Sequence, residues 1–347
     1  MKNRKGLAWL AILLVLALVV YANRGRIHFD WAMFFQQLRR ISWPHIAAGI
    51  ALIYSTYWLR ATRWSVFLSA TKKVSPFSLV SPQFIGFTAV ALFGRLADVI
   101  RPALVARRVQ LSVSSQVAVY TIERMFDLGA AAIIFSGALR FVPGDLPHHE
   151  IFIQVGRVSL KITAAIAVFA IVIRAYGEPV ASAIHTALRP ISHSIADSVA
   201  DKIRGFREGL NAISSAQDFL ITALISLAMW GLIGRAYVET LHAFVDTPSL
   251  ATISFSSTML LMGASILASA FQFPIIGWFT QIAATATTMH ESYGTPIEAA
   301  TACGALLLIV TFLSIIPAGL IAARLNHISL KSAAESAAAE APAEPAI

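Results

Sequence analysis

The feature that most constrains this chain is a series of apolar blocks, most of them close to the roughly 20 residues a helix needs to cross a bilayer core. They lie at about 7–20, 45–69, 114–139, 158–175, 218–241 and 297–322, with polar stretches between them. A water-soluble fold would have to cover these blocks with charge, and only 13% of the residues are charged, against about a quarter in an ordinary soluble domain. In lipid, every backbone N–H and C=O must find its partner inside the protein, so blocks of this length predict helices. The expected class is all-α: a polytopic membrane helix bundle with about six full spans.

Two further blocks do not read as plain spans. In 78–109 the apolar stretch from Phe84 to Phe93 is too short to cross and runs into Gly94, Arg95, Asp98, Arg101 and Pro102. In 253–290 the apolar sequence is broken by Pro274 and Gly277, which leaves it too long for one span and awkward for two. Both predict broken or re-entrant elements, a backbone tolerated at membrane depth only when packed in protein or lining a wet cavity. Two such hairpins of opposite orientation would mark an inverted repeat.

The remaining segments follow from periodicity. Trp31, Phe34, Phe35, Leu38 and Ile41 recur at helical spacing among Gln and Arg, which predicts a short interfacial helix. Ile195, Val199, Ile203, Phe206 and Leu210 keep a similar stripe inside the polar stretch 176–217, predicting a second. The block 7–20, with Lys2, Arg4 and Lys5 before it, has the look of a signal peptide, but Arg24 and Arg26 follow at once and it reads better as an uncleaved first helix. The membrane domain is expected over 1–330, and 331–347, rich in Ala, Glu, Ser and Pro without an aromatic residue, as a disordered tail.

The net charge of +9 and pI near 10.0 do not form one exposed stripe. Lys and Arg flank the apolar blocks, as topology and phospholipid contact require, and no nucleic-acid partner is expected. Their distribution predicts a bacterial inner-membrane protein with a cytoplasmic N-terminus, 176–217 segment and C-terminus. Arg24, Arg26, Arg39 and Arg40 then fall on the other side, as interfacial anchors. The lone Cys303 sits in an apolar block and reads as a small hydrophobe. His148 and His149 are adjacent on a loop without a further ligand near, so no metal site and no cofactor are expected.

Ionisable groups inside apolar blocks are costly, about 2.5–3.5 kcal/mol each on insertion scales, and two clusters stand out. Arg95, Asp98 and Arg101 are spaced so that Asp98 can pair with either arginine on a helix. The surplus positive charge suits a phosphate. Glu123, Arg124 and Asp127 form the second, in which Arg124 can pair with Asp127 and Glu123 can neutralise an arginine of the first. Together these six residues are the candidate polar pocket for a lipid headgroup; mutual neutralisation, serving packing alone, is the competing reading. Arg60 and Arg63, near a helix end, read as snorkelling side chains, and Arg235 with Glu239 as a structural i, i+4 pair.

The run Leu92-Phe-Gly-Arg-Leu-Ala-Asp-Val-Ile-Arg-Pro-Ala-Leu-Val-Ala-Arg-Arg108, followed by Glu123-Arg-Met-Phe-Asp-Leu128, closely resembles the lysylphosphatidylglycerol synthase transmembrane-region family, also called flippase-like. Its members show Pro-Gly-Arg-x-Gly-Glu-x-x-Arg and then Glu-Arg-x-x-Asp-Leu. Gly94, Arg95, Arg101, Glu123, Arg124 and Asp127 match, and Asp98 stands for the usual Glu. Phe93 and Ala97 replace the usual proline and glycine. In the second broken block, Thr280 and Gln281 follow Gly277 where an acid is usual. The resemblance implies flipping of an anionic or modified lipid, here without the soluble synthase domain and therefore not an enzyme. The alternatives are a non-catalytic membrane subunit of glycolipid, polyprenyl-linked glycan or terpenoid-lipid assembly, working beside a membrane transferase partner, and, last, an intramembrane transferase.

Overall fold

The computed structural model describes residues 29–141, 144, 149–210, 213, 215–269 and 276–330. The expected first helix at 7–20, most of the loop with His148, and the expected tail at 331–347 lie outside them. The described residues form helices and turns without a strand. Among them four helices are long and apolar enough to cross a membrane: Pro76–Phe93, Gly156–Leu188, Ala216–His242 and Ile297–Leu325.

Helix α1 (Trp31–Arg39) is the amphipathic element expected there, N-capped by Asp30, whose side chain accepts from the N–H groups of Ala32 and Met33. Helix α2 (Trp43–Leu68) opens with Pro44 in its first turn, where the missing N–H costs nothing. Helix α3 (Pro76–Phe93) is longer than the apolar stretch from Phe84 predicts: it starts at Pro76 and carries Pro82 inside. The Ser- and Pro-rich first half hides the helix in the sequence, while packing on neighbouring helices supports it. Gly94, at φ 78°, ends α3 in a conformation that costs glycine little. A 3-10 turn (Arg95–Val99) then leads into α4 (Ile100–Val109). The chain reverses here. A Cβ on Gly86 would lie 2.6 Å from the Cβ of Arg101, so the two arms touch backbone to side chain and Gly86 is the residue that permits it.

Ser112 caps α5 (Val113–Leu139) by accepting from the N–H of Ser115. Helix α6 (His149–Leu188) returns antiparallel to it, the Ser136 hydroxyl donating to the Gly156 carbonyl at 2.7 Å. The span expected to stop at 175 does not stop: α6 bends at Tyr176 (φ −127°, ψ 24°), continues past Pro179 and ends at Leu188. Helix α7 (His193–Leu210) packs back on it. Its stripe is turned from the expected one, with Ala196 and Ala200 buried and Ile195 exposed, because small residues let α7 lie close to α6.

Helix α8 (Ala216–His242) is capped by Ser215. It runs antiparallel to α2 along nearly its whole length: the N–H of Ser42 donates to the carbonyl of Ala243, and Arg63 reaches Ser226 at the other end. The awkward block 253–290 resolves into two helices, α9 (Phe255–Ala268) and α10 (Ile276–Tyr293). They are antiparallel, since the Tyr293 hydroxyl donates to the Ser257 carbonyl and Gln281 Nε2 to Ser265 Oγ. Helix α11 (Ile297–Leu308) passes through a π turn (Ile309–Leu313) into α12 (Ile315–Leu325). Cys303 is buried in the main core between these helices and α8.

Candidate functional site

The two long helices missing from the apolar set, α2 and α5, are those that carry ionisable groups, and they carry them toward each other. Glu123 is fully buried and saturated. Its Oε1 accepts from Arg63 Nη2 at 2.7 Å and Arg101 Nη1 at 3.0 Å. Its Oε2 accepts from Trp64 Nε1 at 2.9 Å and lies 2.8 Å from Arg101 Nη2. A carboxylate offers about four acceptor sites, so nothing of Glu123 is left over for a ligand.

Arg63 is fully buried in the middle of this network. Besides Glu123, it donates through Nη1 to Asp127 Oδ1 and to Ser226 Oγ, both at 2.7 Å. Arg101 is nearly as deep, and Nη1 also donates to Gln83 Oε1 at 3.0 Å. Five elements therefore meet at two carboxylates: α2, α3, α4, α5 and α8. The aromatic rings of Trp64, Phe87 and Tyr120 surround Arg101, with its guanidinium 4.8 Å from the Phe87 centroid and 4.9 Å from that of Tyr120. Such contacts favour a desolvated cation.

The other two arginines are less completely used. Arg60 Nη1 lies 3.4 Å from Asp127 Oδ2 and 3.7 Å from Glu123 Oε1. Arg124 Nη2 lies 2.9 Å from Asp127 Oδ2, the i, i+3 pair expected from sequence, but its side chain is 38% exposed. Neither Nε nor Nη2 of Arg124 is aligned in a hydrogen bond with a described residue, and the same holds for the Nε of Arg60 and of Arg63. Four guanidiniums thus face two carboxylates, a formal surplus of two positive charges. Asp98 is half-buried and close enough to act electrostatically on Tyr120 and Arg124.

The structure brings together Arg101, Glu123, Arg124 and Asp127 from the expected pocket, with Asp98 at its edge. The backbone of Arg95 lies in the 3-10 turn, and its side chain is outside the described residues. Arg101 does not pair with Asp98 as the spacing allows; a guanidinium at 2% exposure is held by the buried, bidentate Glu123 instead. Arg60 and Arg63, expected to snorkel, are members of the cluster. The signal that could have found them is the i, i+3 spacing of Arg60 and Arg63 with Trp64 beside them, a polar face well inside an otherwise apolar helix. At the opposite end of α2 and α8, the expected Arg235–Glu239 pair forms and gains His45, whose Nδ1 is 2.6 Å from Glu239 Oε2.

The protein-family model described as the lysylphosphatidylglycerol synthase TM region matches residues 8–325 of this 347-residue chain. No curated protein and no solved structure matches it. The chain belongs to that family, and is a membrane-embedded protein of the lysylphosphatidylglycerol synthase or flippase type.

Proposed function

We propose that this member of the lysylphosphatidylglycerol synthase transmembrane-region family translocates an anionic or modified lipid, holding its headgroup at Arg124 and Arg60. The observation that carries this reading is the surplus of guanidinium over carboxylate in a buried cluster, with the surplus on the side chains that are least used. Glu123, Arg63 and Arg101 hold one another and act as the scaffold; Arg124, whose side chain is 38% exposed, keeps buried Nε and Nη2 donors that make no aligned hydrogen bond to a described residue. Guanidinium donors match a phosphate in bidentate geometry, which an ammonium does not reproduce. We read the role as transport: the hydroxyl beside the cluster, Ser226, is engaged, accepting from Arg63 and donating to the Thr222 carbonyl.

The arrangement supports an inverted repeat. An interfacial helix, a long helix, a helical hairpin and a long helix follow in that order twice: α1, α2, α3–α4, α5, and then α7, α8, α9–α10, α11–α12. The equivalent long helices α2 and α8 run in opposite directions, as inversion requires. In this reading the two hairpins are the re-entrant elements. The Lys and Arg distribution supports the same reading, a bacterial inner-membrane protein with both termini and the 176–217 segment cytoplasmic.

Binding tests the headgroup assignment. Native mass spectrometry of the full chain should show tighter retention of phosphatidylglycerol than of phosphatidylcholine. Arg124→Lys should cut that preference about tenfold, or ~1.4 kcal/mol, while leaving the melting temperature in detergent in place. Equal retention of both lipids by wild type would remove the anionic-headgroup reading.

A further inference from the structure

A second feature lies on the other face of α5. Between α5, α6, the end of α7 and α8 is a cavity of about 290 Å³ with an almost wholly apolar lining. On α6 it is lined by Thr163, Ile166, Ala167, Ala170, Ile171 and Arg174. That stripe spans twelve residues, or ~16 Å of helix from first to last, close to the ~15 Å of one leaflet in a core about 30 Å thick. One end carries the guanidinium of Arg174, exposed and without an ion pair to a described residue. Beside it, Ile173 packs with Ile122, Leu210 and Ile213, so the charged end is level with the start of the Glu123 cluster on α5. The cavity wall also includes Ser226, the residue that accepts from Arg63.

Helix α6 is the least covered of the four long apolar helices, with 6% of its apolar window buried against 28–50% in the others. Among the described residues, the slot therefore borders a helix whose apolar window no other element covers from the outside. A one-leaflet apolar slot with a single cation at the headgroup end is complementary to one acyl chain and the anionic phosphate above it.

We propose that the slot between α5, α6 and α8 is a binding site for one chain of an anionic phospholipid, whose phosphate is held by Arg174. This site is separate from the headgroup cluster: Arg124 and the α5 residues lining the slot lie on different faces of α5. The proposal needs the membrane setting but not the transport role given to Arg124.

The test is photolabelling of the full chain in phosphatidylcholine nanodiscs containing a few per cent of phosphatidylglycerol with a diazirine in its tail. Adducts should concentrate on slot residues such as Met125, Phe126 and Ala170, several-fold above Val168 and Val172, which are exposed on α6 outside the slot. Ala170→Trp should fill the slot and abolish the excess. Arg174→Gln, which leaves the packing alone, should reduce it more for phosphatidylglycerol, whose phosphate charge is not offset, than for a phosphatidylcholine probe, whose choline offsets it. Even labelling around α6, insensitive to Arg174→Gln, would overturn the proposal as ordinary bulk lipid. A polyprenyl phosphate that displaces the adducts more strongly than phosphatidylglycerol would overturn the phospholipid assignment. Labelling is read without any transport, so loss of the slot and loss of the transporter reading are separate results.

Discussion

Glu123 is the residue on which the cluster depends, because four donors from three other side chains converge on its two oxygens. Glu123→Gln would leave Arg63 and Arg101 without their shared carboxylate in a site from which water is excluded. Breaking a buried pair in this way costs about 3–5 kcal/mol, so the detergent melting temperature should fall sharply. An unchanged melting temperature would mean that these guanidiniums do not rely on Glu123. The sequence made Glu123, Arg124 and Asp127 visible, since three ionisable groups inside an apolar block demand partners. It did not make Arg63 visible as one of those partners. An arginine five residues from a helix end can either snorkel or turn inward, and the choice depends on where α5 lies, which periodicity in α2 does not contain.

Helical elements were legible where one apolar face recurs, and boundaries were lost where packing overrides local signals. The start of α3 at Pro76 and the continuation of α6 past Tyr176 are both of that kind: proline- and serine-containing turns held by neighbouring helices. The reversal at Gly94 was legible as a break, but its closeness was not. Gly86 gives no sign in sequence that Arg101 passes over it, since the contact is set by the angle between α3 and α4. It leads to a contrast between two helical glycines. Gly86→Ala would push α4 off α3 and displace Arg101, an overpacking cost of about 1–3 kcal/mol. Gly231→Ala in α8 has open space around the added methyl and should be neutral or stabilising by about 0.5–1 kcal/mol. Thermal melts of the two variants check this. Equal effects would place the α3–α4 crossing elsewhere.

At the scale of the molecule, two antiparallel long helices tie the halves together, with the ionic cluster at one end of the α2–α8 pair and the His45–Glu239–Arg235 contacts at the other. Membrane class and family were legible from block length and motif, because both are local properties of the chain. The convergence of five elements on two carboxylates was not, because it depends on how the halves meet. Reporter fusions at residues 5, 195 and 340 should all report the cytoplasmic face; an opposite result at 340 would break the inverted arrangement. The central claim is that surplus guanidinium at Arg124 handles an anionic headgroup during transport. It is tested most directly by reconstituting wild type and Arg124→Lys into liposomes and following leaflet exchange of labelled phosphatidylglycerol, phosphatidylcholine and a polyprenyl phosphate. The account predicts that wild type exchanges an anionic lipid faster than phosphatidylcholine, and that Arg124→Lys, equally folded, loses most of that exchange. Wild type that moves none of these lipids, or a lysine variant that moves them equally well, would contradict it; the first result would favour a non-catalytic subunit of lipid or glycan assembly.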